Sequence, residues 1–257
     1  TKGTRMGPQH LVALSMAGVA SIEVYARPRV VIISTGNELV SFDSSEPLEY
    51  QIRNSTAPLL VAALKACGVS IEFQGIVADD AEQLERALLT AIEQRPDIII
   101  TTGGVSVGKF DLVESAFSKL GGKVHFHKAA VRPGKPILFG EFAGYEFTGK
   151  GPTFFGLAGN PLAVAAAIRF FVKPYLCALF GEGPEKPQRL PLTEDVQKPA
   201  GLSFFQGGVR DGQGVKALSG QASFMAASFL KAEGWIVGQP ELARINAGDL
   251  VEWYPLW

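Results

Sequence analysis

The chain has 257 residues, is 47% hydrophobic and carries a formal charge of −1. That length and apolar content allow one large domain or two ordinary ones with buried cores, and the near-neutral charge excludes a binder that works by general attraction to nucleic-acid phosphate. Two cysteines, Cys67 and Cys177, lie far apart without a C-x-x-C spacing. This excludes a disulfide framework and a cysteine zinc site, fits a reducing, cytoplasmic compartment, and reads both thiols as buried small apolar residues.

The opening residues, "TKGTRMGPQHLVALSMAGVASIEVY", have no initiator methionine and no charged-then-apolar leader, and read as a piece continuing from a longer protein. "RPRVVIIS" (27–34) reads as a buried strand and "STAPLLVAALKACG" (55–68) as a helix closed by Gly68. "VSIEFQGIV" alternates as a strand does. The segment 79–94 has an acidic first turn and apolar Leu84, Ala87, Leu88 and Ala91 at helical spacing, and "PDIIITT" supplies a further strand. Strand and helix in alternation predict an α/β fold with a doubly wound, mostly parallel sheet.

"GKVHFHKAAVRPGKPILFGEF" reads as two extended stretches around a Pro-Gly turn. In "TFFGLAGNPLAVAAAIRFF" a strand enters a helix through Asn160 as N-cap and Pro161 at the first helical position. The apolar run that follows is interrupted by Arg169, Lys173 and Pro174, short of the ~20 uninterrupted apolar residues of a membrane span, so it belongs in a core and no membrane partner is expected. "LFGEGPEKPQRLP" (179–191) reads as a linker. Beyond it, short alternating runs with glycine turns predict a small, mainly β domain with one short helix at 223–231. The organisation expected is a leading segment 1–26, an α/β domain 27–181 and a β domain 182–257.

Ligands of parallel sheets bind where strands end and loops lead into helices. "STGNEL" (34–39) and "TTGGVSVG" (101–108) fall at such places. Gly103 to Lys109 satisfies G-x-x-x-x-G-K, but Phe110 stands where a P-loop needs Ser or Thr for magnesium. Gly103 and Gly104, followed by Ser106 and Gly108, instead suit close backbone approach to an anion such as phosphate at a helix start, or a tight turn that needs glycine for its geometry. Asp111 with Glu114 three residues on is a capping-box arrangement, and Asp111 is equally placed for a catalytic or metal-binding role.

"RPGKP" (132–136) sets Arg132 and Lys135 beside a proline-braced turn, with Lys128 four residues before Arg132. A pre-set turn costs less entropy when its cations engage an anion. His125 and His127 alternate on one strand, a spacing that can bind metal, but neither has a carboxylate or cysteine nearby in sequence. Glu38, Asp79 and Asp80 stand at loop-to-helix positions, where acids either complement the helix dipole or hold a hard cation such as Mg2+.

In this order, "STGNEL", "GIVADD", "TTGGVSVGKFDLV", "VRPGKP" and "GLAGNP" resemble the molybdenum insertases of molybdenum-cofactor biosynthesis, the MoeA or gephyrin E-domain family. The resemblance covers nearly the whole chain. It implies a molybdopterin-binding α/β domain followed by a small β-barrel, and a leading segment that returns from N-terminal domains. It also implies a reaction: Mg2+-dependent hydrolysis of adenylylated molybdopterin, with molybdate inserted into the dithiolene. By matching position, Glu38, one of Asp79 and Asp80, and Asp111 become the acidic, magnesium-associated group. Gly103, Gly104, Ser106 and Gly108 would cradle phosphate, and Lys128, Arg132 and Lys135 would meet the pterin phosphate or molybdate. Pro161 would shape the floor, and Ser223 would face the site from the small domain. A homodimer is implied for the full-length protein.

Four positions depart from the family pattern: Asn37 replaces a common acid, Arg132 a common lysine, Ala158 a proline and Gly207 an arginine. Two rival readings stay open. One is a molybdopterin adenylyltransferase, which usually carries a "GGTG" loop and lacks the β domain. The other is a non-catalytic, gephyrin-like scaffold.

Overall fold

The computed structural model describes residues 2–105, 111–144, 149, 151–219 and 226–257. A short helix, α1 (Pro8–Met16), buries none of its residues. The first domain then alternates strand and helix: β1 (Arg29–Thr35), the two-residue strands β2 (Leu39–Val40) and β3 (Ile52–Arg53), α2 (Thr56–Ala66), β4 (Ser70–Val77), α3 (Ala81–Glu93), β5 (Ile98–Thr102) and α4 (Leu112–Lys119). It continues through β6 (Lys123–His127), β7 (Val131–Arg132), β8 (Ile137–Glu141) and β9 (Thr153–Leu157). A long apolar helix follows as α5 (Pro161–Ala167), a π-helical turn (Ile168–Val172) and α6 (Lys173–Leu179).

The main sheet has the order β4-β1-β5-β9-β8-β6, with every pair parallel except those made by β8. Both faces are covered, so its central strands are apolar on both sides, as parallel strands must be. Val30 and Ile32 of β1 pack toward α2 and the long apolar helix. The alternate residues Val31 and Ile33 pack toward α3 and α4. Pro161–Leu179 is 19 residues long and apolar enough by length and composition to cross a membrane, with 56% of its window buried. Here it is a core helix: Val164, Ala165, Ile168, Val172 and Leu176 are all at most 1% exposed.

The remaining strands are β10 (Gln188–Pro191), β11 (Val196–Gln197), β12 (Ser203–Asp211), β13 (Gly214–Ala217), β14 (Gly234–Gly238), β15 (Arg244–Ile245) and β16 (Leu250–Pro255), with a one-turn helix α7 (Ala226–Phe229) before β14. Their sheet, β10-β16-β14-β12-β13, encloses a small core around Val215, Ile236 and Trp253. The two domains are joined by more than the linker. β7 pairs with β12 in parallel, Val131 opposite Ser203 and Arg132 opposite Phe204. Phe170 stacks on Phe205 at 4.0 Å between ring centroids. Arg169, 2% exposed, donates to the Pro255 carbonyl at 2.9 Å and pairs with Glu185 at 2.7 Å.

Candidate functional site

Strand register carries the strand ends to one edge of the main sheet. Val77 pairs with Thr35, Ser34 with Thr102, Thr102 with Leu157, Leu157 with Ile137, and Leu138 with His127. The loops after β1, β4, β5 and β9 and the turn before β8 therefore emerge side by side, where open α/β sheets place their ligands.

A cavity of about 400 Å³ opens at this edge, lined among others by Thr35, Gly36, Glu38, Asp79, Thr102, Gly103, Gly104 and Gly159. Gly103 and Gly104 have φ of +87° and +64°. A Cβ on Gly103 would lie 2.2 Å from the Thr35 carbonyl oxygen, and one on Gly104 would lie 2.8 Å from Val113. Backbone conformation and space both demand glycine here. The Gly103 amide, however, donates to the Leu157 carbonyl at 3.0 Å, so this residue shapes the loop and has no N–H left for a ligand. Ser106, Gly108 and Lys109, together with Ser223 of the second domain, lie outside the described residues.

Hydroxyls floor the cavity. Thr102 Oγ1 donates to Ser34 Oγ at 3.1 Å and lies 3.4 Å from Thr56 Oγ1. Asn54, a residue that the sequence did not single out, accepts from Thr56 Oγ1 and the Ala57 amide and so fixes the start of α2. Thr35 Oγ1 is buried and has no hydrogen-bond partner among the described residues. A buried hydroxyl without a partner is costly, and this one packs behind the glycines of the turn.

Glu38 and Asp79 reach this cavity from different loops and are exposed. Asp80 does not line it: its Oδ1 accepts the Gln83 amide at 2.9 Å as the N-cap of α3. Asp111 also points elsewhere. Its Oδ1 accepts the Glu114 amide at 3.0 Å as the N-cap of α4, and its Oδ2 lies 3.2 Å from His127 Nε2. The other ring nitrogen, Nδ1, lies 2.9 Å from Glu114 Oε2. His127, which had no acid nearby in sequence, thus has two in space, while His125 faces Glu141 at 3.3 Å.

Lys128, Arg132 and Lys135 are exposed and make no ion pair with any described residue. They do not line the cavity, although their loop, between β6 and β8, emerges at the same edge of the sheet. Lys128 holds φ at +75°, uncommon outside glycine, with its amide bonded to the Ile137 carbonyl. Between it and Lys135, the Ala129 amide closes the turn on the Lys135 carbonyl at 3.0 Å. Pro161 begins α5 behind Asn160, whose Oδ1 accepts the Leu162 amide at 3.0 Å. Of the departing positions, Ala158 is half-buried between β9 and α5, and Gly207 lies within β12 opposite Trp235.

A larger opening, about 1110 Å³, lies under residues 2–6 and 22–27 against α2 and α6. It borders the end of α2 and the start of β4, at the amino edge of the sheet, which is the wrong edge for strand-end chemistry. Cys67 and Cys177 line it. Both are half-buried, which corrects the expectation of fully buried thiols. Burial pushes both thiols up from their ordinary value, and for Cys177 a hydrogen bond with Glu182 adds to the effect.

A glycine turn, two carboxylates from separate loops and three cations without an ion pair to any described residue, at the carboxyl edge of a doubly wound sheet, define an α/β protein suited to a phosphate-bearing ligand, with a β domain appended. Comparison with known proteins narrows the class. Residues 31–178 match the probable molybdopterin binding domain, and residues 189–256 match the MoeA C-terminal region (domain IV). The molybdopterin molybdenumtransferase of Synechococcus elongatus is 37% identical over 205 residues, 79% of this chain and 49% of that protein. That of Haemophilus influenzae is 30% identical over 262 residues, 97% of this chain and 61% of that protein. The crystal structure of a molybdopterin biosynthesis MoeA protein from Pyrococcus horikoshii superposes with a TM-score of 0.84 at 28% identity, covering 100% of this chain and 61% of that one. The chain belongs to the molybdopterin molybdenumtransferase family, a family of transferases in molybdenum-cofactor biosynthesis. It spans roughly half to three-fifths of the length of these relatives, 49% and 61%.

Proposed function

We propose that this chain carries the molybdopterin site of a molybdenum insertase, where adenylylated molybdopterin is hydrolysed with Mg2+ and molybdate enters the dithiolene as substrate. The observation that supports this reading most is the strand-end cavity, which joins a glycine-shaped turn to Glu38 and Asp79 at the sheet edge from which the loop of Lys128, Arg132 and Lys135 also emerges.

The residues present fit a magnesium ion. Glu38 and Asp79 offer oxygen only, the donor type that a hard cation takes. Once bound, the cation supplies charge neutralisation at the phosphate being cleaved. The rest falls to the chain. Gly103 and Gly104 hold the turn open so that backbone approaches the ligand closely. Lys128, Arg132 and Lys135 draw the pterin phosphate and molybdate by charge-assisted hydrogen bonds. Asp111, the acid at the far end of the glycine loop, would have to turn from its cap on α4 and from His127 to act on the ligand's phosphate side.

Equilibrium binding tests the reading. Adenylylated molybdopterin should bind the chain, and more tightly with Mg2+ than with EDTA. Equal affinity in both would favour a binding scaffold over a hydrolase, and no binding would remove the reading altogether.

A further inference from the structure

We infer that Leu39 and Ile52 form the adenine subsite of the strand-end cavity, an apolar wall on which the base of the adenylylated ligand lies while its phosphates meet the glycine turn and the acids. The inference rests on the proposed function of the cavity and adds to it which end of the ligand lies where and what selects the base.

The lining of the cavity is of two kinds. Glu38, Asp79 and the hydroxyls of Thr56 and Thr102 supply oxygen, whereas Leu39, Ile52 and Leu112 supply hydrocarbon. Leu39 is half-buried, and Ile52 is 57% exposed. A single exposed isoleucine needs no explanation, but this one has a backbone built to present it. Leu39 of β2 pairs with Ile52 of β3, so the two side chains leave the ribbon on one face. The Ile52 amide donates to the Glu38 carbonyl at 2.7 Å, and the Asn54 amide to the Val40 carbonyl at 2.8 Å. The wall is thereby fixed to the residue that carries one of the two acids.

The intervening loop is held as firmly. The Arg53 guanidinium donates to the Ser44 carbonyl at 2.9 Å and to that of Ser45 at 3.2 Å, and Gln51 Oε1 accepts the Leu48 amide at 3.0 Å. A wall ordered before the ligand arrives loses little entropy on binding. A purine suits it, because the face of the ring is apolar and needs no polar partner, while its edge stays in water.

The pterin of the same ligand is also flat, and sheet order separates the two rings. A cavity of about 400 Å³ is at the small end of ligand pockets and takes one end of such a ligand. The cation loop assigned to the pterin phosphate lies between β6 and β8, whereas the ribbon follows β1, with β5 and β9 standing between β1 and β8. A ligand whose pterin phosphate meets Lys128, Arg132 and Lys135 therefore extends its adenylate toward β1 and the ribbon.

Binding with and without the base tests the subsite, in the unaltered chain and in Ile52→Ser, with Mg2+ present. In NMR titrations of chain labelled at isoleucine methyl groups, AMP should shift the Ile52 signals, assigned by their loss in Ile52→Ser, through the ring current of the base. Ribose 5-phosphate, which keeps the sugar and phosphate, should leave them in place. By calorimetry AMP should bind about tenfold more tightly than ribose 5-phosphate, and Ile52→Ser should cut that preference about threefold while leaving ribose 5-phosphate unaffected. Leu250→Ser, at a comparably exposed leucine of β16, should behave as the parent. No preference for AMP, or an equal loss of both ligands in Ile52→Ser, would overturn the subsite. So would Ile52 shifts caused by a pterin phosphate and not by AMP. Adenylylated molybdopterin tells the two readings apart. If it binds with Mg2+ dependence but equally well to Ile52→Ser, the subsite fails and the reading of the cavity stands; if it does not bind the parent, that reading falls and the subsite with it.

Discussion

Asn37 and Asp79 hold each other across two loops: Asn37 Oδ1 accepts the Asp79 amide at 3.0 Å, and the Asp79 carboxylate reaches the Asn37 amide at 3.4 Å. The pair ties the loop after β1 to the loop after β4 and so sets Glu38 and Asp79 on one rim. The family resemblance leads one to expect an acid at the position of Asn37. An aspartate would still accept the Asp79 amide but would add a second charge beside a carboxylate. Asn37→Asp should therefore bind Mg2+ more tightly, by about 0.5–1 kcal/mol at so exposed a place. Asn37→Ala should bind it more weakly. Calorimetric titration with Mg2+ checks both.

Arg132→Ala should weaken binding of adenylylated molybdopterin by about 1–3 kcal/mol, because it removes a charge-assisted hydrogen bond. Stability should change little. Arg132 is exposed, and its backbone pairing with Phe204 does not depend on the side chain. Affinity by calorimetry and melting temperature together separate the two effects.

Asp111→Asn keeps an acceptor for the Glu114 amide and removes the charge. Asparagine caps helices about as well as aspartate, so the melting temperature should hold while AMP release falls. Release at the parental rate would leave Asp111 as a helix cap alone.

Gly103→Ala should destabilise the chain by about 1–3 kcal/mol. It strains a backbone at φ +87° and sets a methyl group 2.2 Å from the Thr35 carbonyl oxygen. Chemical denaturation measures the loss, and unaltered stability would mean that the turn is not as tightly closed as described.

Arg169→Ala should cost about 1–3 kcal/mol, since it leaves the Pro255 carbonyl without its donor at the joint of the two domains, while Glu185, exposed, keeps Lys173. The parent should melt in one transition because strand pairing and the Phe170–Phe205 stack bind the domains together. The variant should separate the two melts, which calorimetry resolves.

What the sequence discloses follows the range of the forces involved. Hydrophobic period marks β1, α2, β4, α3 and β5, and proline and glycine mark the turns between them, because those signals are local. The glycines at 103 and 104 are legible as a turn, yet whether their amides remain free depends on Leu157, which arrives from a strand far along the chain. The choice between Asp79 and Asp80 is equally hidden. Adjacent residues differ only in that one side chain turns back to cap α3. His127 shows the same limit, because its two acids come from a helix that the sheet brings to it. Cysteine exposure depends on packing of the leading segment against α2 and α6, which composition does not encode.

The most direct test of the account is AMP release from adenylylated molybdopterin as Mg2+ is added, comparing the parent chain with Glu38→Gln and Asp79→Asn. The parent should release AMP in a single turnover with saturable dependence on Mg2+, and each variant should need more Mg2+ and release AMP at least tenfold more slowly, about 1.4 kcal/mol in the barrier. Release that ignores Mg2+, or that proceeds unchanged in both variants, would contradict the assignment of the strand-end cavity.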